Sequence, residues 1–126
     1  MILIFGGAYQ GKLAYAKENF QIDEKDVFFC KDDLAELDTS KKVIADLEKF
    51  TYACVAAEEN PVERLDGIWH LLEDKILIAD DVSQGVVPMD KTARAWREAN
   101  GRVLIKLGKR ADQVIRVFCG LGQRVK

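Results

Sequence analysis

The chain opens on an apolar run, Met1-Ile2-Leu3-Ile4-Phe5, that passes straight into Gly6-Gly7-Ala8-Tyr9-Gln10-Gly11-Lys12. No other stretch constrains the fold as strongly. The run Ile2–Phe5 reads as a buried strand, and Gly11 to about Phe20 reads as a helix. The glycines between them permit a turn that other residues resist. Strand, glycine turn and helix in that order make a β–α unit.

Further apolar runs supply strands for the same sheet. Val27–Cys30, Tyr52–Ala56, Ile76–Ala79 and Val114–Cys119 are short, and several are apolar throughout. That pattern suits strands covered on both faces. Helical patterns lie between them. Thr39 and Ser40 are cap candidates for a helix with Val43, Ile44, Leu47 and Phe50 on one face. Asn60-Pro61 joins a cap to a proline at the first helical position. It precedes the stripe Val62, Leu65, Ile68, Trp69 and Leu72. The longest pattern follows Pro88, with Met89, Ala93, Trp96, Val103 and Leu107 on one face and mostly basic residues on the other. Strands alternating with helices predict an α/β fold, a three-layer αβα domain around a mainly parallel sheet, over residues 1–126. Ligands of such sheets sit beyond the carboxyl ends of the strands.

Composition removes other classes. The net charge of −2 gives no basic field for nucleic acid. No apolar run nears the roughly 18 residues of a spanning helix, and the opening lacks the basic lead of a signal peptide. Cys30, Cys54 and Cys119 are odd in number and far apart, which predicts free buried thiols in a reducing cytoplasm. His70 is the single histidine, so a multi-histidine metal centre is excluded.

The glycine turn carries the chemistry. Gly6, Gly7, Ala8, Tyr9, Gln10, Gly11 and Lys12 follow the phosphate-loop pattern GxxxxGK, in which backbone N–H groups curl around an anion. The next helix adds its positive N-terminal end, and Lys12 adds a point charge for the outer phosphates of ATP or GTP. The pattern then requires a hydroxyl to ligate Mg²⁺. Leu13 stands there instead. A tight structural turn with a solvated Lys12 is the competing reading. The strand Ile76–Ala79 ends in Asp80 and Asp81. Those two acids are placed to hold Mg²⁺ or accept a hydroxyl proton, although strand-end acids are also commonly just solvated. Glu58 and Glu59, after Tyr52–Ala57, form a similar position.

The second half sharpens this reading. Asp80-Asp81-Val82-Ser83, Gly85-Val86-Val87-Pro88, Ala93-Arg94-Ala95-Trp96-Arg97-Glu98 with Gly101 and Val103, Ala111-Asp112-Gln113-Val114 and Gly120-Leu121-Gly122 together resemble the C-terminal part of the adenosylcobinamide kinase/adenosylcobinamide-phosphate guanylyltransferase family of cobalamin biosynthesis. The opening resembles that family's Gly-Gly-Ala-Arg-Ser-Gly-Lys-Ser. Leu37-Asp38 through Glu59 resembles its middle helix and strand more weakly. The resemblance implies a P-loop α/β sheet, an oligomer, and a nucleoside triphosphate and a corrinoid as ligands. It implies phosphorylation of a corrinoid hydroxyl, then guanylyl transfer through a histidine.

The departures fall where that chemistry would live. Tyr9-Gln10 replaces Arg-Ser, Leu13 the hydroxyl, Asp80-Asp81 the Asn-Glu turn, Ser83 its glycine, and Leu104-Ile105 an Asn-Gln pair. A short acidic connection, Lys31–Glu36, spans the place of the histidine-bearing helix, and His70 does not substitute for that histidine. Arg94 and Arg97 are kept, facing either a phosphate, a corrinoid side chain, or only water with Glu98 as partner. The sequence thus predicts a nucleotide- or phosphate-binding relative with degenerate catalytic motifs. An active divergent kinase and a non-catalytic structural or regulatory subunit are the alternatives.

Overall fold

The computed structural model describes residues 1–82 and 90–126. Its strands are β1 (Ile2–Gly6), β2 (Val27–Phe29), β3 (Val43–Ala45), β4 (Ile76–Asp80), β5 (Gln113–Phe118) and β6 (Leu121–Arg124). Its helices are α1 (Lys12–Phe20), α2 (Leu47–Ala56), α3 (Pro61–Gly67), α4 (Trp69–Leu72) and α5 (Lys91–Arg110). The strands form one sheet in the order β2-β3-β4-β1-β5-β6. All neighbours are parallel except the β5–β6 hairpin. The α/β class and the mainly parallel sheet are as the sequence predicts.

Successive strand residues point to opposite faces, so a sheet covered on both sides must be apolar at every position. Leu3, Ile44, Leu77 and Val114 face one core with Leu47, Phe50, Leu72, Val103 and Leu107 from α2, α4 and α5. Ile4, Val43, Ile78 and Ile115 face the other, with Ala16 of α1. Helices therefore lie on both faces, which makes three layers. Central β1 is flanked by β4 and β5, with Ile4 opposite both Ile78 and Ile115. The chain leaves β1 toward β2 and later crosses from β4 to β5. The loop after β1 thus stands at the point where strand order reverses, where such sheets bind ligands.

The middle of the chain departs from expectation. Val43–Ala45 is strand, not helix, and Tyr52–Ala56 is helix, not strand. Three consecutive buried residues suit a short central strand, whereas Leu47, Phe50, Thr51 and Cys54 form one buried helical stripe. That stripe outweighs the β-propensity of Tyr52 and Val55. Glu58 and Glu59 consequently follow a helix rather than a strand end. The helix begun at Asn60 forms as read: Asn60 Oδ1 accepts Val62 N–H at 2.9 Å. It breaks at Ile68 into α3 and α4. Asp90 caps α5 by accepting Thr92 N–H at 3.0 Å. Ser83, Gly85-Val86-Val87-Pro88 and Met89 lie outside the described residues. Cys30 and Cys54 are buried as expected, but Cys119 is exposed. No helix among the described residues is long and apolar enough to cross a membrane.

Candidate functional site

The glycine loop is shaped by close approach. A Cβ on Gly6 would sit 2.4 Å from the Val117 carbonyl oxygen of β5, so only glycine fits. Gly11, at φ 89, opens α1 in the left-handed region that glycine tolerates best. Tyr9 also has positive φ, at 59°, and its side chain projects fully into solvent. The amides of Ala8, Tyr9 and Gly11 meet no protein acceptor among the described residues, and that of Gln10 closes only a loose turn over Ala8 and Tyr9. Backbone N–H groups are normally paired. A run of open ones at a helix N-terminus can receive an anion.

Lys12 sits beside them and is only 8% exposed. Its Nζ donates to Gly7 O at 2.7 Å and contacts Asp80 Oδ1 at 2.6 Å. The structure therefore brings together Lys12 and Asp80, named from distant parts of the sequence. Asp81 joins through its backbone, donating to Gly6 O at 2.8 Å. Leu13 is half-buried and packs against the core that holds Ile4 and Ile78. Its side chain contributes to the fold what a hydroxyl would have contributed to a cation.

Four residues that sequence reasoning did not place in the site complete it. Glu48, near the start of α2, is 5% exposed and accepts the Asp80 N–H at 2.9 Å. Burial pushes its carboxyl above the usual range and the nearby Asp80 charge adds to that, while the Asp80 N–H opposes it. Asn100 of α5 is buried and donates to Asp80 O at 3.0 Å, and its Oδ1 has no hydrogen-bond partner among the described residues. Trp96, one turn earlier, donates to Glu48 O at 2.8 Å. Asp46 follows β3 with φ 57 and, with Phe29, Glu48, Asp80 and the loop, lines a cleft of about 370 Å³. Asp46 and Asp80 both stand at carboxyl ends of strands. That repeated placement was the available signal, hidden while β3 was read as helix.

Other expected residues do not converge here. Arg94 is exposed and Arg97 half-buried on α5, and neither lines the cleft. Leu104 packs half-buried on the core. Ile105 lines a separate groove of about 650 Å³ between α5 and the α2–α3 connection. These two departures thus lie away from the loop. Residues 31–34 make a turn closed by a Lys31–Leu34 bridge, and His70 is exposed on α4. Among the described residues no three His, Cys, Asp or Glu side chains converge on a metal position. The residues present fit the phosphates of a nucleotide. They do not supply the hydroxyl by which such loops ligate Mg²⁺.

The family model described as cobinamide kinase / cobinamide phosphate guanyltransferase matches residues 31–125. The glycine loop precedes that span and stands on its own geometry. The bifunctional adenosylcobalamin biosynthesis protein CobU of Salmonella typhimurium is 37% identical to this chain over 51 residues. That stretch is 40% of this chain and 28% of the relative, so it spans less than a third of the relative's length. Because the family match runs over most of its residues, this chain belongs to the cobinamide kinase / cobinamide phosphate guanyltransferase family.

Proposed function

We propose that this chain binds the phosphates of ATP or GTP over Gly6–Lys12 and serves corrinoid metabolism as a member with degenerate catalytic motifs. One observation carries the reading: among the described residues, the amides of Ala8, Tyr9 and Gly11 stand open ahead of α1 beside a buried lysine. Backbone donors and an ammonium are what phosphate oxygens require. Lys12 is already paired with the Asp80 carboxylate, and Glu48 and Asn100 hold the Asp80 backbone in place. Leu13 withholds the metal-side hydroxyl, and no histidine stands near the loop for guanylyl transfer. In this reading the protein is a cytoplasmic homo-oligomer that holds nucleotide, and a corrinoid, without efficient turnover.

Calorimetric titration with ATP and GTP, with and without Mg²⁺, tests it. Metal-independent binding that disappears in Lys12→Ala is the expected result. No heat with either nucleotide would sink the proposal. The acids that line the cleft with Lys12 support a second reading, an active divergent kinase in which Asp80, Asp46 or Glu48, or the adjoining Asp81, accepts the substrate hydroxyl's proton. Mg²⁺-dependent formation of phosphorylated cobinamide decides for that reading.

A further inference from the structure

We propose that Gln10 is a positioning residue, clamped by the β5–β6 hairpin so that the loop's grip on phosphate depends on that hairpin. The proposal rests on the anion-binding reading above. Gln10 is held twice. Its side-chain Oε1 accepts the Cys119 N–H at 2.7 Å, and its backbone carbonyl accepts the Gly120 N–H at 2.8 Å. The two donors are consecutive residues of the hairpin turn, both in the left-handed region at φ 53 and φ 77.

The second bond has a geometric consequence. The Gln10 carbonyl and the Gly11 N–H belong to one planar trans peptide and point in opposite directions. Drawing the carbonyl toward the hairpin aims the Gly11 N–H away from it. That N–H is one of the open donors, and Gly11 lines the cleft. The hairpin supports the loop at two more points. Val117 O crowds Gly6, and a Cβ on Gly11 would lie 3.3 Å from Gly120 Cα. The clamp is built on an edge: every residue of β6 is exposed, and its ladder runs only to β5. Such edges open more easily than central strands.

Hydrogen exchange and calorimetry on the full chain, with inorganic pyrophosphate as the probe, test the clamp. Gln10→Met keeps the length and removes the acceptor, whereas Gln10→Glu keeps an acceptor. The Cys119 amide should exchange about tenfold faster in Gln10→Met and stay slow in Gln10→Glu, while Ile4 in β1 stays protected in both. Pyrophosphate affinity should fall about three- to tenfold in Gln10→Met, the effect of losing one ordinary hydrogen bond. Equal affinity in wild type and Gln10→Met would overturn the proposal, as would unchanged Cys119 exchange. Failure of the wild type itself to bind pyrophosphate would overturn the anion reading, and the role of the clamp with it.

Discussion

Asp80→Asn separates the competing roles of the Lys12–Asp80 pair. The backbone contacts of Asp80, its N–H to Glu48 and its carbonyl from Asn100, survive the change because neither uses the carboxylate. What is lost is the 2.6 Å ion pair, whose side chains are 8% and 25% exposed. A pair of that exposure lies between the surface and buried cases, so the fold should lose about 1 kcal/mol. Binding should move the other way. A negative charge about 5 Å from a phosphate costs about 3 kcal/mol at an effective dielectric of about 20. Partial exposure and salt reduce this to about 1–2 kcal/mol, or about 5- to 30-fold tighter binding of metal-free ATP. Titration of ATP into wild type and Asp80→Asn in a chelator buffer measures it, and the difference should shrink as salt rises. Equal or weaker metal-free binding in the variant would show that Lys12 is not the phosphate's partner. In Mg²⁺ the same comparison reads whether Asp80 supports a metal, because the variant then loses affinity instead of gaining it.

Three further outcomes follow from the geometry. Gly6→Ala forces a Cβ to within 2.4 Å of the Val117 carbonyl, and overpacking of that kind costs about 1–3 kcal/mol. The thermal midpoint should fall by about 3–12 °C, and an unchanged midpoint would contradict the fit of the loop against β5. Burial raises the Glu48 carboxyl in the folded chain, so the native state holds its proton to higher pH than the unfolded chain. That group lowers stability as pH rises from the ordinary carboxylate value through the raised folded one. Glu48→Gln, whose amide oxygen still accepts the Asp80 N–H, should flatten this fall in urea titrations across pH and leave stability at neutral pH equal or higher. Burial pushes the Cys30 thiol up to about 12 and the Cys54 thiol up to about 11, while Cys119 is exposed. Iodoacetamide at mildly alkaline pH should therefore modify Cys119 alone in the native protein, and all of the cysteines in urea.

The parts legible in the sequence were those with two agreeing signals. β1, the glycine turn and α1 combine an apolar run, glycines and a lysine at fixed spacing. The Asn60-Pro61 start of α3 joins a side-chain cap to a fixed φ. The segment from Thr39 to Ala57 offered no such agreement. Its strand is three residues long, too short to display a period, and α2 is apolar on most of its surface. β6 was missed because Leu121–Arg124 is exposed at every position, and an edge strand without a buried face leaves no alternation. In the site, Lys12 and Asp80 were found because each ends or follows a clear strand. Glu48 and Asn100 lie inside helices, and only the packing of α2 and α5 against β4 brings them to Asp80. For Arg94 and Arg97 a helical repeat fixes the spacing but not the direction in which they face.

Phosphate bound as proposed would rest its oxygens on the open amides of the loop. Two-dimensional ¹H–¹⁵N spectra of the labelled chain, recorded during titration with ATP in a chelator buffer, test it most directly. Saturable shifts concentrated at Ala8, Tyr9, Gln10 and Gly11 are expected, with the Lys12→Ala variant showing them only at much higher ATP. Shifts confined to the groove around Ile105, or none at the loop at saturating ATP, would contradict it.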